Sequence, residues 1–82
     1  MKVKVKLFGS TRESVGQKEV EVNLNNEPST VAELKSSLYA TYPALASGVG
    51  YLVVAVNRKA ADDSKKVIST DELALLPLVS GG

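Results

Sequence analysis

The first part of the chain alternates charged and apolar residues so regularly that it limits the possible folds. Residues 2–7 alternate lysine with apolar side chains before Phe8, and residues 18–24 alternate again. Because successive side chains of a β-strand point to opposite faces, this period of two predicts two strands, each with one buried face. We expect a hairpin whose strands are joined by a long loop at residues 10–17. The positions predicted to face inward are Val3, Val5, Leu7, Val20, Val22 and Leu24.

One helix is predicted in the middle of the chain. Thr30, with Glu33 three residues later, forms a capping box that can satisfy the free amides of a first helical turn. Pro43 predicts the end of the helix near Tyr42. Residues 44–50 are expected to form an irregular connection. The apolar stripe at helical spacing consists of Val31, Leu34 and Leu38, with Tyr42 at its end.

The second half of the chain predicts short strands. Residues 51–56 are apolar and β-branched, which is typical of a buried strand. Asn57 and Arg58 indicate a turn into a short segment at 59–61, followed by a solvated loop at 62–66. The last strand is predicted over residues 72–77, because Pro77 has no amide proton with which to continue a strand ladder.

This order of elements predicts an α+β domain: a mixed sheet of four to five strands with one main helix packed on one face. A chain of 82 residues has room for one small domain. We expect residues 1–78 to form the domain and residues 79–82 to form a flexible tail. The predicted core consists of Val3, Val5, Leu7, Val20, Val22, Leu34, Leu38, Leu73 and Leu75.

The composition excludes several kinds of chemistry. The chain has no cysteine and no histidine, so it lacks thiol nucleophiles, disulfides and the usual zinc ligands. Its net charge of +1 favours neither nucleic acid nor a membrane surface as a partner. Without a signal peptide or a run of about 18 apolar residues, a cytoplasmic location is expected. Asp62 and Asp63 have no further ligands beside them, so no metal site is predicted.

Gly81 and Gly82 follow an apolar stretch at residues 73–79 with only Ser80 between them. Glycines without a Cβ can thread a narrow channel and present a terminal carboxylate to another protein. The alternative interpretation is a loosely ordered terminus, which most chains have. Because the tail continues directly from a predicted strand, we favour the functional interpretation.

Together these features resemble a known family. The order of elements and the final Gly-Gly are similar to the β-grasp fold of ubiquitin-like proteins, and the local sequence resembles the small subunit of molybdopterin synthase. Leu78 replaces the second of two prolines usual in that family, and Ser69-Thr70 stands where a glycine is usual. These differences leave room for a sister carrier, such as that of thiamine biosynthesis. The segments that carry the resemblance are Leu7-Phe8, Arg12-Glu13, Val15-Gly16 and residues 54–57, 71–73 and 76–82.

The resemblance implies a sulfur carrier. An adenylating enzyme of the ubiquitin-activating type would use ATP to adenylate the Gly82 carboxylate, and a sulfurtransferase or cysteine desulfurase would supply sulfur for a thiocarboxylate. The large synthase subunit would receive the tail and use that sulfur to convert cyclic pyranopterin monophosphate into molybdopterin. Two small and two large subunits would form a heterotetramer. The carrier itself would bind no cofactor, and the catalytic side chains would belong to the large subunit.

Partner-binding residues are expected at the first and last strands. Phe8 and Leu76 fall opposite the predicted core positions and would share an outer apolar patch if these strands are neighbours. Arg12 matches an arginine of the family and is expected either to pair with a partner carboxylate or to be solvated. The alternating lysines of residues 2–6 are interpreted as a solvated face. At the end of the chain, the residues expected to contact a partner are Pro77, Leu78, Val79, Ser80 and Gly81.

Three functions remain open from the sequence. The first is sulfur carriage for molybdopterin. The second keeps the same activation chemistry but serves thiamine synthesis or tRNA thiolation, or conjugates the chain to lysines as a protein modifier. The third is a non-covalent β-grasp binding module with an inert terminus.

Overall fold

A central sheet of five strands organises the chain, and the computed structural model describes residues 1–46 and 52–77 of it. Strand β1 (Lys2–Leu7) pairs with β2 (Glu19–Asn23) in antiparallel register, with Val3 opposite Val22 and Val5 opposite Val20. The predicted N-terminal pair is therefore confirmed. Its alternation keeps every second side chain of both strands buried, as the sequence requires.

The connection between these strands differs from the prediction. Residues 10–17 were expected to form a loop, but Ser10–Val15 form a short helix, α1. Six residues are too few for a periodic apolar pattern, and a helix of this length depends on tertiary contacts for its stability. Those contacts come through Thr11, which is buried. Gly16 ends the helix in the left-handed conformation with φ of 80°, and its amide donates to the Arg12 carbonyl at 2.8 Å.

A small second sheet precedes the main helix. Strand β3 (Ser29–Thr30) leads directly into α2 (Val31–Thr41). The capping box is confirmed in its main contact, since the Glu33 amide donates to the Thr30 hydroxyl oxygen at 3.2 Å. Pro43 does stop α2, but it also begins a short helix, α3 (Pro43–Ala46), where an irregular connection was expected. Proline suits a first helical turn because its missing amide proton would be unpaired there.

The remaining strands complete the sheet. Strand β4 (Leu52–Val56) turns at Asn57 and Arg58 into β5 (Lys59–Ala61), as predicted. Two-residue strand β6 (Lys66–Val67) pairs with β3, and β7 (Leu73–Pro77) is the last described strand. The main sheet has the order β2-β1-β7-β4-β5, in which β7 runs parallel to β1 and antiparallel to β4. This mixed sheet with one long helix is the expected β-grasp fold.

The core lies between α2 and one face of the sheet. All nine predicted core positions are buried, and Leu34 and Leu38 of α2 pack with Val5 and Leu75 of the central strands. Six further apolar residues complete this core: Leu24, Val31, Leu45, Val54, Val56 and Val67. Among the described residues, no helix is long and apolar enough to cross a membrane.

The loop before β6 fixes the start of α2. The Val31 amide donates to the Lys65 carbonyl at 2.9 Å, and the Ala32 amide donates to the Asp63 carbonyl at 3.1 Å. The Lys35 ammonium pairs with the Asp63 carboxylate at 2.9 Å. The first amides of a helix have no partners within the helix itself. This loop therefore satisfies amides that the Thr30 cap leaves free.

Candidate partner-binding site

The predicted neighbourhood of the first and last strands is confirmed. Leu7 of β1 lies opposite Leu75 of β7 in parallel register. One residue further on, the Phe8 amide donates to the Leu75 carbonyl at 3.2 Å. The ends of both strands therefore lie side by side where the chain approaches Pro77.

An apolar groove lies on the outer face at this point. Phe8 is 46% exposed, and Leu76 is half-buried beside it. Ala55 and Ala74, which are paired across β4 and β7, are small and lie between these larger side chains. The resulting groove has a volume of about 380 Å³. Its full lining is Lys6, Phe8, Ala55, Arg58, Glu72, Ala74 and Leu76.

Such a surface is suited to a partner. The core side of these strands is fully packed against α2, so the outer apolar groups are not needed to fill the interior. Contiguous apolar surface on a small protein commonly marks an interaction site. The structure thus brings Phe8 and Leu76 to one groove, as the alternation of the two strands predicted. Their role in binding stays a prediction.

Thr11 holds the end of β1 in place, and sequence reasoning missed it. Its hydroxyl donates to the Phe8 carbonyl at 2.6 Å, with the Leu75 carbonyl at 3.3 Å as a longer second acceptor. The same oxygen accepts from the Phe8 amide at 3.1 Å. These bonds connect α1, the end of β1 and β7. The sequence shows only a threonine in a polar segment, and its burial and its partners follow from the packing of α1.

Gly9 marks where the last strand passes the start of α1. Its φ of 59° lies in the left-handed region, which glycine tolerates best. A Cβ built on Gly9 would lie 3.0 Å from the Cγ of Pro77. The Pro77 ring therefore packs against a position that has no room for a side chain. This contact places the end of β7 against the start of α1.

The β4–β5 turn forms the far rim of the groove. Asn57 and Arg58 both have positive φ, at 52° and 71°. The Asn57 side chain donates to the Asp71 carboxylate at 3.0 Å and accepts from the Glu72 amide at 2.9 Å. Arg58 Nε lies 3.4 Å from the Glu72 carboxylate. The sequence predicted the turn, but not that Arg58 would line the same groove as Phe8 and Leu76.

Arg12 lies on the other side of Phe8. It is exposed and lines a shallow depression with Lys6, Phe8 and Lys18. Neither salt bridge found in residues 1–46 and 52–77 involves Arg12. The structure therefore places it near the groove, while its pairing with a partner stays a prediction. Leu78, Val79, Ser80, Gly81 and Gly82 lie outside the described residues.

The acidic residues are also possible metal ligands and groups whose pKa can shift. In the described part of the chain, no group of three or more acidic side chains could hold a metal ion. The pKa of Asp62 is lowered, chiefly because the Ser64 hydroxyl donates to its carboxylate at 2.7 Å and the Ser64 amide donates at 3.1 Å. That carboxyl lies on an exposed loop and does not line the groove.

Comparison with known proteins gives consistent matches along the whole chain. Residues 5–82 match the ThiS family. The molybdopterin synthase sulfur carrier subunit of Dictyostelium discoideum is 33% identical over 81 residues, covering 96% of this chain and 94% of that protein. The protein of the same name from Arabidopsis thaliana is 32% identical over 82 residues, covering 100% of this chain and 84% of that protein.

A solved structure extends the likeness to the fold. The crystal structure of SAMP1, the small archaeal modifier protein 1 of Haloferax volcanii, superposes with a TM-score of 0.83 at 32% identity. The alignment covers 100% of both chains.

Proposed function

The chain belongs to the ThiS family, and from this membership we propose that it is a sulfur carrier, the small subunit of a molybdopterin synthase. The observation that carries the proposal is the match over residues 5–82, which includes Gly81 and Gly82. The names of the two curated relatives support the synthase as the destination of the sulfur. The groove of Phe8 and Leu76 beside the start of the tail supports a protein partner.

The carrier chemistry resides in the Gly82 carboxylate. A carboxylate is a poor electrophile, because oxide is a poor leaving group. An adenylating enzyme would join this carboxylate to the α-phosphate of ATP, releasing pyrophosphate and forming an acyl-adenylate. A hydrosulfide equivalent from a sulfur donor would then attack the carbonyl carbon and displace AMP. The product is a thiocarboxylate, formed without oxidation or reduction when sulfur arrives as hydrosulfide.

The rest of the chain would position this end. With no cysteine in the sequence, no side chain offers a thiol on which sulfur could be held. Gly81 and Gly82 would let the backbone enter a channel that side chains block. Reacting groups must be placed to within about an ångström for efficient transfer. Pro77, which packs on Gly9, would start the tail in a fixed direction, with Leu78, Val79 and Ser80 contacting the channel wall.

The large synthase subunit is the proposed acceptor. It would receive the tail, supply the catalytic side chains and transfer sulfur to cyclic pyranopterin monophosphate. Two carriers and two large subunits would form a heterotetramer. Phe8, Leu76 and Arg12 would contact both this subunit and the adenylating enzyme, which must therefore bind in turn.

The mass of the intact chain tests this proposal. The purified protein is incubated with ATP, an adenylating enzyme and sodium sulfide, and its mass is recorded. We expect a gain equal to exchanging one oxygen atom for one sulfur atom, absent without ATP and absent in a variant lacking Gly82. An enzyme that adenylates its own carrier but leaves this chain unchanged would contradict the proposal.

A protein modifier is the second candidate, favoured by the full-length likeness to small archaeal modifier protein 1. It uses the same adenylated Gly82, but a lysine amine would displace AMP to form an isopeptide bond. Digesting the products with trypsin separates the two candidates. Peptides branched at lysine favour a modifier, whereas a thiocarboxylate without adducts favours sulfur carriage. A binding module would keep its function when Gly81 and Gly82 are deleted.

A further inference from the structure

Arg58 occupies a backbone conformation that suits arginine poorly. It is the second central residue of the β4–β5 turn, with φ of 71° after Asn57 at 52°. A two-residue turn with positive φ at both positions strongly favours glycine at the second one. A residue with a Cβ is strained in the left-handed conformation. The turn is therefore less stable with arginine than it would be with glycine.

The contacts that Arg58 makes with residues 1–46 and 52–77 do not explain why arginine occupies this position. Its side chain is 86% exposed, and its salt bridge is a single Nε contact at 3.4 Å to Glu72, which is itself 44% exposed. Exposed pairs of this kind contribute little to stability. Asn57, rather than Arg58, makes the hydrogen bonds that fix the turn to Asp71 and Glu72. A strained residue without a local structural reason points to a contact with another molecule.

The position of Arg58 identifies the surface involved. It lines the groove together with Phe8 and Leu76, and Lys6 is the second cation of that lining. Within the described residues, Glu72 is its acidic partner and contacts only Nε. No described residue accepts a hydrogen bond from the two terminal nitrogens of the guanidinium, and a guanidinium can bind a carboxylate through two parallel hydrogen bonds. The groove thus combines an apolar recess with a cation held at its rim.

We propose that Arg58 is a specificity-determining residue of this groove, which pairs with a carboxylate on the adenylating enzyme while an adjacent apolar side chain of that enzyme enters between Phe8 and Leu76. The inference rests on the proposed function and adds the chemistry of the docking surface. We assign the adenylating enzyme as the occupant because every carrier or modifier function considered requires the adenylation step. Lys6 and Arg58, at the edge of the apolar recess, would complement a carboxylate that lies next to an apolar side chain on that enzyme.

Replacement of Arg58 by glycine gives a sharp test. In Arg58→Gly the turn keeps its conformation with a better-suited residue, so thermal stability is expected to stay the same or rise. The KM for the carrier in ATP–pyrophosphate exchange is expected to rise roughly tenfold, the size of one lost charge-assisted hydrogen bond. Arg58→Gln, which keeps most of the side chain, is expected to show a similar rise. The matched control is Lys59→Gln, which removes the same charge from the next residue outside the groove.

Salt dependence supplies a second readout. The wild-type KM should rise with ionic strength, and that dependence should be weaker in Arg58→Gly, because one cation no longer contributes to encounter. An Arg58→Gly chain with wild-type KM would overturn the inference, as would an equal rise in Lys59→Gln. A defect confined to binding of the large synthase subunit would show that the assigned occupant is wrong. If the wild-type chain is not adenylated at all, the proposed function itself fails, which is a separate outcome.

Discussion

The two faces of the central strands use the same alternation for different purposes. In β7 the inward residues Leu73 and Leu75 are fully buried, whereas the outward residues Ala74 and Leu76 line the groove. At the end of β1 the contrast is larger, since Leu7 is 2% exposed and Phe8, the residue that follows the strand, is 46% exposed. Neighbouring residues of one strand thus serve folding on one face and contact with a partner on the other. Substitutions on the two faces should therefore have separable effects.

The largest effect is expected from adjacent leucines of β7. Leu75→Ala removes a fully buried side chain from the core and should lower the free energy of unfolding by about 3 kcal/mol. Leu76→Ala removes a half-buried side chain at the groove and should cost less than about 1 kcal/mol. Urea unfolding of both variants measures the difference. Equal losses would mean that the outer face contributes to stability as much as the core does.

Substitution of Gly9 tests how much the contact between Gly9 and Pro77 contributes to stability. Gly9→Ala places a Cβ 3.0 Å from Pro77 Cγ at a position with φ of 59°. The expected loss of stability is about 2 kcal/mol, from the left-handed conformation together with displacement of the proline ring. Gly16→Ala is the control, because it has φ of 80° but no atom within 4 Å of the added Cβ. It should lose only about 1 kcal/mol. Similar losses in both variants would show that the Pro77 contact is unimportant.

Phe8 tests the outer face through binding. Phe8→Ala should raise the KM of the adenylating enzyme for the carrier roughly tenfold, because exposed aromatic residues at the centre of an interface contribute strongly. Its stability should change by less than about 0.5 kcal/mol. Ile68 is 41% exposed, similar to Phe8, but it does not line the groove, so Ile68→Ala is the control. A KM that rises equally in both variants would place the interface elsewhere.

The alternation of apolar residues in the strands and the capping residues of α2 explain why so much of the fold was predictable. The alternation of Val3, Val5 and Leu7 fixes the buried face of β1 by itself, and Thr30 with Glu33 marks the start of α2. The same alternation placed Phe8 on the outer face. Helix α1 was missed because its six residues carry no repeating pattern and are stabilised by contacts that exist only after β7 is in place. The paired strands β3 and β6 were missed because two residues are too few to show a period of two.

The residues of the groove also differ in whether the sequence could predict them. Leu76 could be assigned to it from period alone, once β1 and β7 were expected to be neighbours. Arg58 could not, because its position depends on the left-handed turn and on the pairing of β4 with β7. Turn geometry and long-range register are properties of the assembled sheet. A residue that reaches a site through them leaves no periodic signal in the sequence.

The smallest effect is expected at Asp62, an exposed residue away from both faces. Its lowered pKa arises first from the Ser64 hydroxyl and then from the Ser64 amide. A carboxyl with a lowered pKa in the folded state contributes stability above its unfolded pKa, and that contribution is lost as pH falls through the folded value. Ser64→Ala should therefore raise the Asp62 pKa towards its ordinary value while hardly changing stability at neutral pH, since the group is exposed.

Carboxyl carbon shifts followed by NMR during an acid titration measure this pKa. Ser36→Ala, an exposed serine on α2, is the control, and an unchanged Asp62 pKa in Ser64→Ala would mean that the hydroxyl bond does not set it.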